Sequence, residues 1–161
     1  MNNVQAISYS MIYEYLLGTF PTANTYDDRI IGQKIGYLSQ SYGVYIGDIK
    51  FFWNKRGPYS RVLTKILYGI DKNKELIIQE SSGFGIKLEL KNRLDKLKEI
   101  IDSKPMGCPK VIWLEILASI KFISDELTSN EPDVIIPVLK KRKSFLNQYS
   151  YEIEKASSLV L

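Results

Sequence analysis

The sequence predicts a mostly helical α+β domain, winged-helix-like, with a small antiparallel β-sheet or hairpin. Three observations point there. Apolar residues recur at helical spacing in several separate stretches. A short aromatic run, Ile49-Lys50-Phe51-Phe52-Trp53, is too brief for a helix and ends ahead of a Gly-Pro turn. The runs Leu76–Glu80 and Phe84–Glu89 flank Ser81-Ser82-Gly83 and read as a β-hairpin, with Ile49–Trp53 as a third strand edge.

Taken in order, Val4, Ile7, Met11, Ile12, Tyr15 and Leu16 space a first helix that stops at Gly18. Residues 19–26 form a loop that delivers Asp27 or Asp28 as the cap of a second helix. Its stripe is Ile31, Ile35, Leu38 and Tyr42, and it closes near Gly43. After the aromatic strand, Pro58 fixes φ and Ser60 caps a helix carrying Val62, Leu63, Ile66, Leu67 and Ile70. Beyond the expected hairpin, Leu90, Leu94, Leu97 and Ile101 mark a helix ended by residues 104–109. Between Lys110 and Leu127, a stripe of Ile112, Ile116, Ile120 and Ile123 is broadened by Trp113, Leu117 and Phe122, which predicts the most buried helix of the protein. Asn130 is expected to cap a helix with Pro132 in its first turn. Pro137 should kink or break it, since an interior proline costs about 3 kcal/mol. Ser150 should cap the last helix, with Ile153, Ala156 and Leu159 on its apolar face.

At 161 residues and 18.5 kDa, the chain has the size of one domain, spanning 1–161, and can bury a substantial core. Its net charge of +4 and pI near 9.0 permit contact with nucleic acid or an acidic protein surface and require neither. Cys108 is the only cysteine, which rules out an intramolecular disulfide, and it sits in a loop where a neutral thiol is expected. The lack of an apolar span or leader segment leads to the expectation of a soluble cytoplasmic protein.

Histidine is absent, which removes the commonest general base and the commonest metal ligand. Ser60 lacks a nucleophile elbow and reads as a helix cap. Asp27, Asp28 and Glu115 form no divalent-metal set, and surface or capping roles are expected for them. Gly83-Phe84-Gly85 lies in the expected hairpin, the wrong context for a nucleotide cradle. No catalytic centre, cofactor or metal is therefore expected. Phe51, Phe52 and Trp53 with Lys50, Lys55 and Arg56 admit three uses: core with solvated cations, a protein-binding patch, or stacking on nucleic acid. The run Lys140 to Lys143 suits the negative end of a helix dipole, and also a phosphate backbone.

Lys34, Tyr37, Leu38, Gln40 and Gly43 compose the pattern KxxYLxQxxG, and Phe52, Gly57, Pro58, Tyr59, Ser60 and Leu63 follow as strand, turn and helix. This arrangement resembles the C-terminal domain of DarG-type antitoxins and the stand-alone YwgA-like proteins, and more remotely the Panacea antitoxin domain. Trp113 to Ile123 and the closing helix are similar to the later helices of that family, so the resemblance extends from about Asp28 onward. It implies a non-catalytic, antitoxin-like or phage-defence-associated module that contacts a partner protein. In the DarG-type case the partner is a toxin that ADP-ribosylates DNA. This chain has no macrodomain to remove ADP-ribose, so only neutralisation by contact carries over. Partner contacts are expected at Trp53, Arg56 and Tyr59. The alternative is a DNA-binding winged helix with Arg61 and Lys65 on the helix in the groove, aided by Lys140, Lys141 and Arg142. A scaffold that only self-associates is a third possibility.

Overall fold

The computed structural model describes residues 3–161. Its elements are α1 (Asn3–Leu17), α2 (Tyr26–Ser41), β1 (Phe52–Asn54), β2 (Gly57–Tyr59), α3 (Arg61–Lys72), α4 (Lys74–Ser81), α5 (Leu88–Asp102), α6 (Lys110–Leu127), α7 (Pro132–Arg142), a 3₁₀ helix (Ser144–Tyr149) and α8 (Ser150–Val160). The mostly helical α+β architecture is as the sequence predicts. Among the described residues, no helix is long and apolar enough to cross a membrane.

Helices α2 and α6 lie side by side at the centre. Helix α1 joins α3, α4 and α5 around α2, while α7 and α8 cover α6. Eleven residues of α6 are buried, including Trp113, whose Nε1 donates to the Ile100 carbonyl of α5 at 3.3 Å. Burying each large side chain of that helix contributes about 1.5–3 kcal/mol before entropy is subtracted. Helix α2 is buried over more than the single stripe expected, because α3 closes on its other side. Gly32 and Gly36, one turn apart, make a groove in α2 that Leu67 and Leu63 fill. A Cβ at Gly36 would stand 2.5 Å from Leu63 Cδ2, and one at Gly32 would stand 2.8 Å from Leu67 Cδ1. The Tyr9 hydroxyl of α1 donates to the Gly32 carbonyl at 2.7 Å and ties a third helix to the same spot.

The antiparallel hairpin is present but elsewhere than expected. β1 and β2 pair Phe52 with Tyr59, Trp53 with Pro58 and Asn54 with Gly57 across the two-residue turn Lys55-Arg56. Residues 76–80 are helical, so the hairpin expected over 76–89 is not formed, nor is the three-edged sheet with it. The physical reason is that Leu-Ile-Ile suits strand and helix equally, while Lys74, Glu75, Gln79 and Glu80 around it are good helix formers. Only Ile77 is buried, as one helical face against α1 requires. Phe84 lies exposed in the following loop, and Leu88 opens α5.

Capping also differs in detail. Thr25 caps α2: its hydroxyl accepts from the Asp28 N–H at 3.0 Å, and the Asp28 carboxylate accepts from the Thr25 N–H at 3.3 Å. Asp28 therefore serves from the third helical position rather than as the cap. Ser60 caps α3 as expected, accepting from the Leu63 N–H at 3.3 Å. Asn130 instead accepts from the Ser124 hydroxyl, and Ser150 is the first residue inside α8. Pro137 does not break α7, which runs on to Arg142. The carbonyl that loses its helical donor is that of Asp133, an exposed residue in the first turn. Cys108 is buried, and burial raises its thiol pKa.

Tyr9→Phe should lower stability by about 1 kcal/mol, because the Gly32 carbonyl keeps its place in the α2 ladder and loses only the second bond. Urea unfolding would register this as a lower midpoint at unchanged slope.

Candidate functional site

The β1–β2 hairpin is seated on buried polar side chains rather than on a sheet. Glu115 of α6 is fully buried, and its Oε1 lies 2.6 Å from Arg56 Nε in the hairpin turn. Its Oε2 lies 3.4 Å from Nζ of Lys143, the residue that follows α7. Lys143 is itself 2% exposed and donates to the Lys55 carbonyl, and at 3.4 Å to that of Asn54. From α2, Lys34 is also 2% exposed and donates to the Pro58 carbonyl at 2.8 Å. Gln33 completes the frame by accepting from the Ser60 N–H at 2.8 Å and donating to the Ser60 carbonyl at 2.9 Å. Gly57 is required where these meet. Its φ is +92°, and a Cβ there would stand 2.9 Å from Ser119 Oγ and 3.2 Å from Lys34 Nζ.

Three cations thus surround one buried carboxylate. Burial pushes the Lys34 ammonium down from 10.5 to about 7; Glu115 opposes the shift, while Lys143 and Arg56 add to it. Burial likewise lowers the pKa of Lys143, against the pull of Glu115.

Two concavities flank this frame. A cavity of about 370 Å³ is bounded by α2, the hairpin and α3, and its walls include Arg29, Lys34, Arg56, Tyr26, Tyr59 and Tyr68. An open groove of about 890 Å³ runs beside the hairpin and the start of α3, where Lys50, Phe52, Trp53, Arg61 and Val62 line it with a single acid, Asp48. Tyr59 and Asn54 border both.

The sequence-predicted residues fall in different places. Trp53 is half-buried against Phe122 of α6, at 5.6 Å between ring centroids, with Arg142 and Lys143 over its ring at 5.3 and 5.0 Å. Arg56 turns inward to Glu115. The half-buried Tyr59 accepts a bond from Thr64 at 3.0 Å. The three share the hairpin, yet Arg56 serves the frame before any outer surface. Arg61 and Lys65 are exposed on α3. Of the basic run, Lys141 is exposed, Lys140 donates to the Ser150 hydroxyl at 3.2 Å, and Arg142 pairs with Glu126 at 2.6 Å.

Sequence reasoning assigned Glu115 to a surface or capping role; it is the buried centre of the ion cluster. The signal was its isolation as the one charge in the apolar stretch Val111–Ile120. Lys34 carried a similar signal, lying one helical turn from both Ile30 and Leu38 on a buried face.

Two outcomes follow from the cluster. Glu115→Gln leaves Arg56 and Lys143 without a counter-charge and should cost about 3–5 kcal/mol in urea unfolding. The pKa of Lys34 is lower in the folded chain (about 7) than its ordinary 10.5, so the unfolded chain holds a proton that the folded one releases across that range. Stability should therefore rise with pH between these values, and Lys34→Met should flatten the rise. Thermal melts across that pH range would check this.

No family model, curated protein or solved structure matches this chain.

Proposed function

We propose that the chain is a non-catalytic, antitoxin-like or defence-associated module that acts by direct contact with a partner protein, through the groove beside the hairpin. The observation that carries this reading is a rigidly seated hairpin with an aromatic and basic outer face. Phe52 is 68% exposed although it sits in a strand, and Val62 is 46% exposed beside it. Trp53 and Tyr59 border the groove, and Lys50 and Arg61 add positive charge. Aromatic and arginine side chains around a concave centre are what protein interfaces favour. A frame fixed before binding lowers the ordering cost of association. The charge of the groove fits an acidic partner surface. The resemblance to DarG-type antitoxins and YwgA-like proteins supports the same class of role.

DNA binding has thinner support. The exposed cations of α3 are Arg61, Lys65 and Lys72 at its far end, and Lys140 and Arg142 are already engaged. Strong binders neutralise about 6–10 phosphates.

Affinity purification of the tagged chain from its host, with and without nuclease, should recover a stoichiometric acidic protein that survives the nuclease. Phe52→Ala with Arg61→Ala should weaken that partner by at least about tenfold, or about 1.4 kcal/mol, while leaving the fold intact. Recovery of nucleic acid alone would replace this reading with the DNA-binding one.

A further inference from the structure

The smaller cavity presents chemistry that the partner groove does not use. Arg29 and Arg56 bring their guanidinium carbons to 6.0 and 5.8 Å from the same ring centroid, that of Tyr26. Lys34 lines the same cavity, and among the described residues none of its lining is acidic. Among the described residues the carboxylate that balances this group is Glu115, which is already shared with Lys143.

Donor capacity is left over. Arg29 spends one bond on the Ala23 carbonyl at 2.9 Å, Arg56 spends its Nε on Glu115, and the ammonium of Lys34 has one acceptor, Pro58. A guanidinium carries five N–H donors and an ammonium three, so among the described residues most of them have no protein acceptor. Gathering like charges at a largely buried wall is unfavourable unless an anion joins them. Two guanidiniums and an ammonium match the charge and oxygen count of a phosphate dianion better than those of a single carboxylate.

The rest of the lining suits a flat ring. Tyr26 and Tyr68 are 56% and 50% exposed at the cavity, and Tyr59 lines it half-buried from the hairpin strand β2. Tyrosine faces stack on nucleobases in a sequence-tolerant way. The volume, about 370 Å³, lies in the range of about 300–1,000 Å³ that houses small ligands.

We propose that this cavity binds a nucleoside phosphate, with the phosphate held by Arg29, Lys34 and Arg56 and the base placed among Tyr26, Tyr59 and Tyr68. This site is separate from the partner groove, with Tyr59 and Asn54 as their shared wall. Binding draws a proton onto Lys34: the groups facing its ammonium are Glu115 of α6, Lys143 after α7 and Arg56 of the turn, and an arriving anion tips that balance toward the charged form.

The test is calorimetric titration of the full chain with ADP, GDP, CDP and UDP, and with inorganic phosphate and adenosine as partial probes. At least one diphosphate should bind about tenfold or more tightly than either partial probe. Arg29→Gln, which leaves the hairpin frame untouched, should weaken it by about tenfold, whereas Lys98→Gln, which removes one distant surface cation, should leave it within about twofold. At about pH 8.5, heats in two buffers of different ionisation enthalpy should show proton uptake in the native chain and none in Lys34→Met. Absence of binding by all four nucleotides would overturn the proposal. So would phosphate binding as tightly as the diphosphates, or equal losses in Arg29→Gln and Lys98→Gln, the mark of unspecific charge attraction.

Discussion

The carboxylate of Glu115 is the point on which the hairpin depends. It is fully buried on the central helix α6, it holds Arg56 of the turn, and through Lys143 it reaches the turn's own carbonyls. A two-residue hairpin of three-residue strands has little stability of its own in water. Side chains from α2, from α6 and from the end of α7 supply what a wider sheet would otherwise provide. Ion pairs of this kind add little net stability over an apolar substitute, because desolvation offsets much of the attraction. They strongly penalise any arrangement that leaves one partner alone. Their contribution here is accordingly to fix where the hairpin sits.

Helix α2 makes that arrangement possible by presenting different chemistry along its length and around its girth. Gly32 and Gly36 admit Leu67 and Leu63 at close range, which draws α3 against it. Gln33 and Lys34, interleaved with those glycines, point at the chain just before α3 and grip Ser60 and Pro58. The position of α3 and the seat of the hairpin are thus set by the same turn of the same helix. Tyr59 stands at the junction and borders both concavities, so the cavity and the groove share a wall.

Much of the fold was legible because periodicity reports it directly. Spacing places α1, α3, α5 and α6, although Val4 and Val62, expected on the apolar stripes of α1 and α3, are 66% and 46% exposed, and Ser60 caps α3 as its chemistry suggests. Leu76-Ile77-Ile78 was not legible, since a short apolar run fits strand and helix alike and packing against α1 decided between them. The site was harder still. Nothing local marks Lys143 as buried, because it closes a basic run whose other members face outward or pair at the surface; its burial comes from Trp53 and Glu115, which are remote in sequence. Arg56 and Trp53 were recognised as unusual on composition alone, but whether they faced in or out depended on a carboxylate fifty-nine residues away from Arg56.

The hairpin is gripped largely through its main chain: the carbonyls of Asn54, Lys55 and Pro58 are the atoms that Lys143 and Lys34 hold. Carbonyls are common to every residue, so the outward side chains of Phe52 and Lys55 are free to drift without loosening the grip. Descendants of such a chain can acquire new recognition surfaces by changing these exposed positions while Glu115, Lys34, Lys143 and Gly57 stay fixed. Diversification of the rim and constancy of the seat are then expected to leave opposite signatures of selection within a few residues of each other.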